Sequence, residues 1–170
     1  MDKPAVVRSA EDKLRAGDAT PFPPQQQDPP GLFTAMDPVP DHGEDSWKGR
    51  GRLQGMRALI TGGDSGIGRA VAIAYAREGA DVAIGHLPAE QSDAESTAAL
   101  IRAEGRQALL LPGDLVERSV CEELVHAAHD RLGGLDVLVN NAGYHWARGG
   151  EGLLGLETDQ VERVLRTNLH

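Results

Sequence analysis

Residues 61–68 read Thr61-Gly62-Gly63-Asp64-Ser65-Gly66-Ile67-Gly68, and the segments on either side decide the fold. Residues 57–60 form a short apolar run typical of a buried strand, and residues 69–79 follow a helical pattern that ends in a glycine. Glycines allow a sharp turn and close approach of a ligand, and the start of a helix attracts negative charge. This strand, turn and helix start therefore favour a dinucleotide-binding loop over a structural turn.

Composition excludes several other classes of protein. The 170 residues are enough for one domain with a core, and the net charge of −9 argues against nucleic acid or an anionic membrane as a partner. Cys121 is the single cysteine, which excludes an internal disulfide, and no Cys/His cluster has zinc-site spacing, so we predict no metal site. No apolar run resembles a secretory signal or reaches membrane-spanning length, so we expect a cytoplasmic protein.

Residues 1–55 are predicted to form an irregular, proline-rich N-terminal arm. Eight of the ten prolines precede Asp41, and the segment has no apolar periodicity, so it cannot bury enough apolar surface to fold as a second domain. Phe22, Phe33 and Trp47 are candidates to pin parts of it to a neighbouring surface. Two interpretations stay open at this point: a disordered tail, and an arm that wraps a partner subunit.

From residue 56 onward the pattern alternates between strand and helix. Further strands are predicted at residues 81–85, 106–111 and 135–140. Capping boxes at Ser92 and Ser119 predict two helix starts, Gly105 predicts a helix stop, and Thr158 can cap a last helix. The apolar face of the first helix is predicted to contain Ile67, Ala70, Val71 and Ala74.

Repeated strand–helix units predict an α/β fold with a doubly wound parallel sheet in the strand order 3-2-1-4. In such a sheet the ligand crevice lies at the carboxyl ends of strands 1 and 4, where the order reverses. The glycine-rich loop follows strand 1, and Asn140-Asn141-Ala142-Gly143 follows strand 4. Both motifs are therefore expected at the place where the fold binds its ligand.

Taken together, these motifs resemble the classical short-chain dehydrogenases/reductases. The resemblance is carried by the glycine-rich loop, Asp114 after the third strand, residues 140–143, and Thr167-Asn168-Leu169. Residues 21–25 (Pro-Phe-Pro-Pro-Gln) and 40–44 (Pro-Asp-His-Gly-Glu) are similar to an N-terminally extended branch, the glucose/ribitol dehydrogenase homologues. The resemblance implies that residues 56–170 are the N-terminal part of a Rossmann dinucleotide-binding domain, with strands 1–4 of an incomplete sheet.

The resemblance also implies a role for each matching residue. The pyrophosphate would be held by Gly62, Ser65, Gly66, Ile67 and Gly68. Asp114 and the backbone of Leu115 would contact adenine, although Asp114 can also be an ordinary turn or cap residue. The ribose and nicotinamide would lie along Asn141, Ala142 and Gly143, with Asn140 bracing the central strands. Asn168 would hold a water in a catalytic proton relay, unless it is simply a solvated helix residue.

The expected cofactor is NAD or NADP, with NAD slightly favoured. NADP sites place Arg or Lys against the 2′-phosphate, whereas NAD sites usually place a carboxylate on the ribose diol. The end of strand 2 reads Gly85-His86-Leu87 and contains neither. Asp64 in the glycine-rich loop would repel a 2′-phosphate, and no Lys or Arg lies between Asp81 and Leu100.

The family's reaction needs a serine and a Tyr-x-x-x-Lys pair, in which the tyrosine exchanges a proton with the substrate. Neither Tyr75 nor Tyr144 has a lysine four residues later, and no lysine follows Lys48. We therefore expect the pair to lie beyond residue 170. Two hypotheses stay open: an NAD(P)-dependent oxidoreductase acting on a small alcohol or carbonyl substrate, and a catalytically silent dinucleotide-binding fragment. The resemblance implies a homo-oligomer, dimer or tetramer, for the full-length form.

Overall fold

The computed structural model describes residues 23–28, 30–145 and 157–169. Within these ranges, strands β1 to β4 span Arg57–Thr61, Asp81–His86, Ala108–Pro112 and Val137–Val139. Helices α1 to α4 span Gly66–Arg77, Gln91–Ala103, Arg118–Leu132 and Thr158–Leu169, and 3₁₀ turns occupy Phe33–Ala35 and Pro88–Glu90. None of the helices in the described ranges has both the length and the apolarity to cross a membrane.

The sheet is parallel, and its strand order is β3-β2-β1-β4, which confirms the predicted order. At its centre, Leu59 of β1 lies between Ala83 of β2 and Leu138 of β4. The order reverses between β1 and β4, so the carboxyl ends of these two strands border the crevice where such a sheet binds ligands. The sheet therefore brings the glycine-rich loop and residues 140–143 to one place.

Helices cover both faces of β1, β2 and β3, where successive side chains point to opposite faces. On one face, Ile60 packs in a cluster with Ala72 of α1 and Ile101 of α2. On the other face, the neighbouring Leu59 packs in a cluster with Leu124 of α3. This two-sided burial explains the continuous apolar runs of the strands and confirms the doubly wound α/β architecture.

The buried side of α1 differs from the predicted one. Ile67 is 77% exposed, and Ala70, Val71 and Ala74 are half-buried. The helix instead buries a wider band, which consists of Gly68, Arg69, Ala72, Ile73 and Ala76. The prediction was wrong for Ile67, whereas the half-buried Val71 does pack against the cluster around Ile60. The burial of α1 does not follow one apolar stripe, because the helix packs on two sides, against the sheet and against the arm.

The two predicted capping boxes are also absent. Helix α2 has Glu90 at its N-cap and α3 has Glu117, each two residues before the predicted serine. Neither N-cap residue makes a side-chain cap hydrogen bond. A 3₁₀ turn at Pro88–Glu90 directly precedes α2, so the chain is already helical before it reaches Ser92. The predicted stop is confirmed, because Gly105 follows α2 with φ +71°.

The described part of the arm packs along α1 and the start of α2 of its own chain. Phe33 is buried, with 5% of its surface exposed, whereas Trp47 is 42% exposed. Arg77 of α1 donates hydrogen bonds to the carbonyl oxygens of Gly43 and Trp47 at 3.1 and 2.8 Å. The interpretation as a disordered tail does not describe this part of the arm, and the wrapping of a partner subunit stays a prediction. The prediction for Phe22 lies outside the described residues, and the domain boundary at residue 55 stays a prediction.

Candidate dinucleotide-binding site

A cavity of about 300 Å³ opens at the carboxyl end of the sheet, between the loops that follow the four strands. It is lined by Gly62, Asp64, Ser65, Gly66, Ile67, Gly85, His86, Leu87, Glu90, Gly113, Asp114, Leu115, Asn141, Ala142, Gly143, Tyr144, Arg163 and Thr167. All the predicted site residues except Gly68 and Asn168 belong to this lining. The structure therefore gathers residues from four separate loops of the sequence around one pocket.

The glycine-rich loop ends where α1 begins, at Gly66. Gly66 has φ +52°, which L side chains rarely adopt, and a Cβ built there would meet nothing within 4 Å. The N–H groups of the first helical turn have no intrahelical partners, so they are available to an anion. Open space beside a helix start fits the phosphates of a dinucleotide.

Gly68 has a different reason to be glycine. A Cβ at this position would lie 1.9 Å from the carbonyl oxygen of Gly62 and 2.6 Å from Nδ2 of Asn141. Its missing side chain therefore lets α1 pack directly on the turn after β1. The third glycine of such motifs has this packing role. The contact of Gly68 with the pyrophosphate stays a prediction.

Thr61 and Asn141 join the loops after β1 and β4. The Thr61 hydroxyl accepts hydrogen bonds from the backbone N–H groups of Asn141 and Ala142, each at 3.0 Å. The Asn141 side-chain amide donates to the carbonyl oxygens of Thr61 and Gly62 at 3.0 and 3.1 Å. The bracing amide was predicted at Asn140, which is exposed. The prediction was wrong by one position. Side chains alternate in direction along an extended chain, so neighbouring residues point to opposite sides.

Acidic groups and His86 occupy the β2 side of the pocket. Burial raises the pKa of Asp64, which is 1% exposed. Burial and the neighbouring Asp64 charge raise the pKa of Glu90 to about 7. Asp64 Oδ1 and His86 Nε2 are buried without a hydrogen-bond partner among the described residues. This wall therefore has hydrogen-bonding capacity left for a polar ligand or water.

Glu90 was missed by the sequence analysis. It lies in the 3₁₀ turn after β2, where its carboxylate accepts a hydrogen bond from the N–H of Leu87 at 3.2 Å. Ribose recognition often uses an acidic residue about 20 positions beyond the glycine motif, and that spacing is the signal that could have identified Glu90.

Asp114 lies at the pocket, but its carboxylate already has two partners. Oδ1 accepts from the N–H of Val116 at 3.1 Å, and Oδ2 pairs with Nη2 of Arg163 at 3.0 Å. The first contact is the turn role that the sequence left open. Arg163 comes from α4 and was not predicted as a site residue, because the sequence alone does not place α4 at the pocket. The adenine contact of Asp114 stays a prediction.

Asn168 lies behind the pocket wall. Its side-chain amide donates to the carbonyl oxygen of Tyr144 at 2.7 Å and accepts from the N–H of Tyr144 at 2.9 Å. This pair of bonds anchors α4 to the segment after β4, and Tyr144 is itself part of the pocket lining. The water-holding catalytic role of Asn168 stays a prediction.

Comparison with known proteins agrees with this geometry. Residues 56–170 match the family model described as short chain dehydrogenase. The chain is 56% identical over 148 residues to the uncharacterized oxidoreductase YghA of Escherichia coli, covering 87% of this chain and 50% of that one. It is 38% identical over 157 residues to the glucose and ribitol dehydrogenase of Daucus carota, covering 87% and 52%.

A solved structure is similar as well. A short-chain dehydrogenase from Burkholderia cenocepacia, crystallised in complex with NADP, matches with a TM-score of 0.65 and 40% identity, over 69% of this chain and 46% of that one. The chain thus spans about half the length of the curated relatives it matches. The strand order, the glycine-rich loop at the start of α1 and the match over residues 56–170 together show that this chain belongs to the short-chain dehydrogenase family.

Proposed function

We propose that this chain is the dinucleotide-binding part of an NAD(P)-dependent oxidoreductase. The observation that supports this most directly is Gly66, whose missing side chain leaves open space at the N-terminus of α1. Backbone N–H groups at such a position bind phosphate without requiring a basic side chain. This suits a pocket whose charged lining, among the described residues, is Asp64, Glu90, Asp114 and Arg163.

The other lining residues suit the remaining parts of a dinucleotide. His86 and Leu87 at the end of β2, with Asp114 and Leu115 after β3, would hold the adenosine half. Residues 141–143, with Tyr144, would hold the nicotinamide half. When bound, the nicotinamide supplies or accepts the hydride in the conversion between an alcohol and a carbonyl. The chain's own contribution is to bind and orient the cofactor.

NAD is proposed to bind at least as well as NADP. A 2′-phosphate would bring negative charge toward Glu90, whose pKa of about 7 leaves it partly ionised at neutral pH. Asp64 adds less repulsion than its position in the sequence suggests, because burial raises its pKa. The solved relative with NADP is a separate protein, so a direct comparison of the two cofactors on this chain is needed.

The second candidate is a dinucleotide-binding chain without turnover of its own. It is supported by one fact: residues 1–170 contain no Tyr-x-x-x-Lys pair. General acid–base groups contribute about 10²- to 10⁴-fold in rate, so their absence removes the proton transfer to substrate. Steady NADH production by residues 1–170 with a sugar or polyol would contradict this candidate, and NAD binding without turnover would support it.

Calorimetric titration of NAD and NADP into the chain, with two glycine variants, tests the cofactor site. Gly66→Ala places a methyl group in the pocket, while Gly105→Ala is a matched control: it also has positive φ and nothing within 4 Å, but lies at the end of α2. Each variant should lose about 1–2 kcal/mol of stability from the left-handed backbone. We expect only Gly66→Ala to lower NAD affinity, by about tenfold or more.

Equal NAD affinity of the Gly66→Ala variant and the unchanged protein would contradict the placement of the phosphates. An absence of NAD and NADP binding by the unchanged protein would contradict the proposed function itself. NADP binding ten times tighter than NAD binding would overturn the proposed cofactor preference alone.

A further inference from the structure

The buried guanidinium of Arg69 connects α1 to the arm. It lies 4.3 Å from the ring centroid of Phe33, and its Nε and Nη2 each donate to Oε1 of Glu44 at 3.2 Å. Only 5% of the Arg69 side chain is exposed. A buried charge is stable only when it is paired and hydrogen-bonded, and here the arm supplies the carboxylate and the aromatic ring.

On its other side, Arg69 reaches the glycine-rich loop through Thr97 of α2. Nη1 of Arg69 donates to the Thr97 hydroxyl at 2.7 Å. This hydroxyl lies 2.9 Å from the carbonyl oxygen of Asp64 and 3.2 Å from that of Asp93, so the shorter contact with Asp64 is the favoured acceptor for its proton. A hydroxyl has one proton, so the incoming bond from Arg69 directs that proton away, toward a carbonyl. Thr97 is fully buried, so solvent does not compete for these bonds.

A second contact docks the arm beside the same loop. The carboxylate of Asp93, in the first turn of α2, accepts hydrogen bonds from the N–H of Phe33 at 2.7 Å and from the Thr34 hydroxyl at 2.8 Å. Asp93 is also fully buried. The arm therefore holds the starts of both α1 and α2, which are the helix ends that face the pocket.

We propose that the arm positions the glycine-rich loop for dinucleotide binding, with Glu44, Arg69 and Thr97 as positioning residues. The loop carbonyl at Asp64 directly precedes Ser65, the N-cap of α1, so fixing this carbonyl fixes the direction of the phosphate-binding N–H groups. A loop held in its binding geometry loses less freedom when the ligand binds. The inference rests on the proposed function, because it concerns the same pocket.

The opposite end of α1 provides a control contact. There Glu78 pairs with Arg52 of the arm at 2.7 Å and also accepts from the N–H groups of Arg50 and Arg52, each at 3.0 Å. Loss of this contact also weakens arm docking, but none of its hydrogen bonds reaches the glycine-rich loop. Glu44→Ala and Glu78→Ala are therefore a matched pair of variants.

The test measures NAD affinity by calorimetry and, without ligand, hydrogen exchange of the amides of residues 65–68. Thr97→Val removes the hydroxyl and keeps the shape, whereas Thr97→Ser restores the hydroxyl. We expect Thr97→Val and Glu44→Ala to weaken NAD binding about five- to tenfold, in line with the loss of one hydrogen bond, and to speed exchange in the loop. Thr97→Ser and Glu78→Ala should stay within about twofold of the unchanged protein on both measurements.

Unchanged amide exchange of the loop in both Thr97→Val and Glu44→Ala would overturn the proposal. It would also be overturned if Glu78→Ala changed NAD affinity and loop exchange as much as Glu44→Ala does, because the arm would then only stabilise the fold in general. If Thr97→Val does not fold, the comparison of Glu44→Ala with Glu78→Ala in NAD affinity and loop exchange still tests the proposal. If the unchanged protein does not bind NAD, the proposed function fails, while the exchange measurement still tests whether the arm orders the loop.

Discussion

The Thr61 hydroxyl is expected to be the most important single hydrogen-bonding group between β1 and β4. It accepts from two backbone N–H groups, those of Asn141 and Ala142 at 3.0 Å, and contacts the carbonyl oxygen of Val139 at 3.4 Å. Thr61→Val preserves the shape and removes all three contacts. The two N–H groups then have no hydroxyl oxygen to donate to.

The expected cost follows from those two donors. A buried donor left without a partner costs about 1–3 kcal/mol, and because Asn141 and Ala142 are half-buried, the lower end of that range applies to each. We therefore expect Thr61→Val to lower the free energy of unfolding by about 2–3 kcal/mol. For a chain of this size that corresponds to a Tm lowered by about 4–12 °C.

Urea unfolding followed by far-UV circular dichroism measures this change as a shift of the midpoint at constant slope. Thr61→Ser is the control, since it keeps the hydroxyl and loses only a methyl group worth about 1 kcal/mol. The reasoning is refuted if Thr61→Val is as stable as the unchanged protein, or if Thr61→Ser loses as much as Thr61→Val. NAD affinity should fall in Thr61→Val as well, because the hydroxyl joins two walls of the pocket.

Three further predictions concern the pocket and the surface. Because the pKa of Glu90 is raised to about 7 in the folded chain, stability should fall as pH rises from about 4.5 to 7 and level off above. In Glu90→Gln this loss of stability between pH 5 and pH 8 should be smaller by about 1–2 kcal/mol, a figure that already allows for solvent screening. Urea unfolding of both proteins at pH 5 and pH 8 measures the difference. Gly68→Ala should lower the free energy of unfolding by about 1–3 kcal/mol, because the added methyl group overpacks against Gly62. A Tm within about 1 °C of the unchanged protein would disprove the packing role. Leu138, Val161 and Leu165 are 47%, 40% and 44% exposed, so residues 1–170 should associate in solution; light scattering that shows a stable monomer would contradict this.

The architecture was predictable from the sequence because its signals are local. The apolar runs of the strands, the glycine-rich turn after β1 and the stop at Gly105 each depend on a few consecutive residues. The strand order then follows from the general preference of such units for a doubly wound sheet. Most of the pocket lining was predictable for the same reason, since ligands bind beyond the carboxyl ends of the strands.

Sequence patterns were less reliable for single side chains. A capping box was predicted with Ser92 at the N-cap, but the N-cap is Glu90, so the helix starts two residues earlier, directly after the 3₁₀ turn. The apolar face of α1 was misassigned because periodicity reports an apolar stripe and does not report how many surfaces the helix packs against. Asn141, rather than Asn140, braces the strands, because the direction of a side chain at a strand end depends on where the strand stops.

By itself, the sequence determined the order of the elements, the glycine-rich loop at a helix start and the family to which the chain is similar. Only the tertiary structure decided that Gly68 serves packing, that Glu90 and Arg163 reach the pocket, and that the arm holds Arg69. The physical reason is separation along the chain. Arg163 and Asp114 are 49 positions apart, and Arg69 and Glu44 are 25 apart, so these contacts form only after the helices have packed on the sheet.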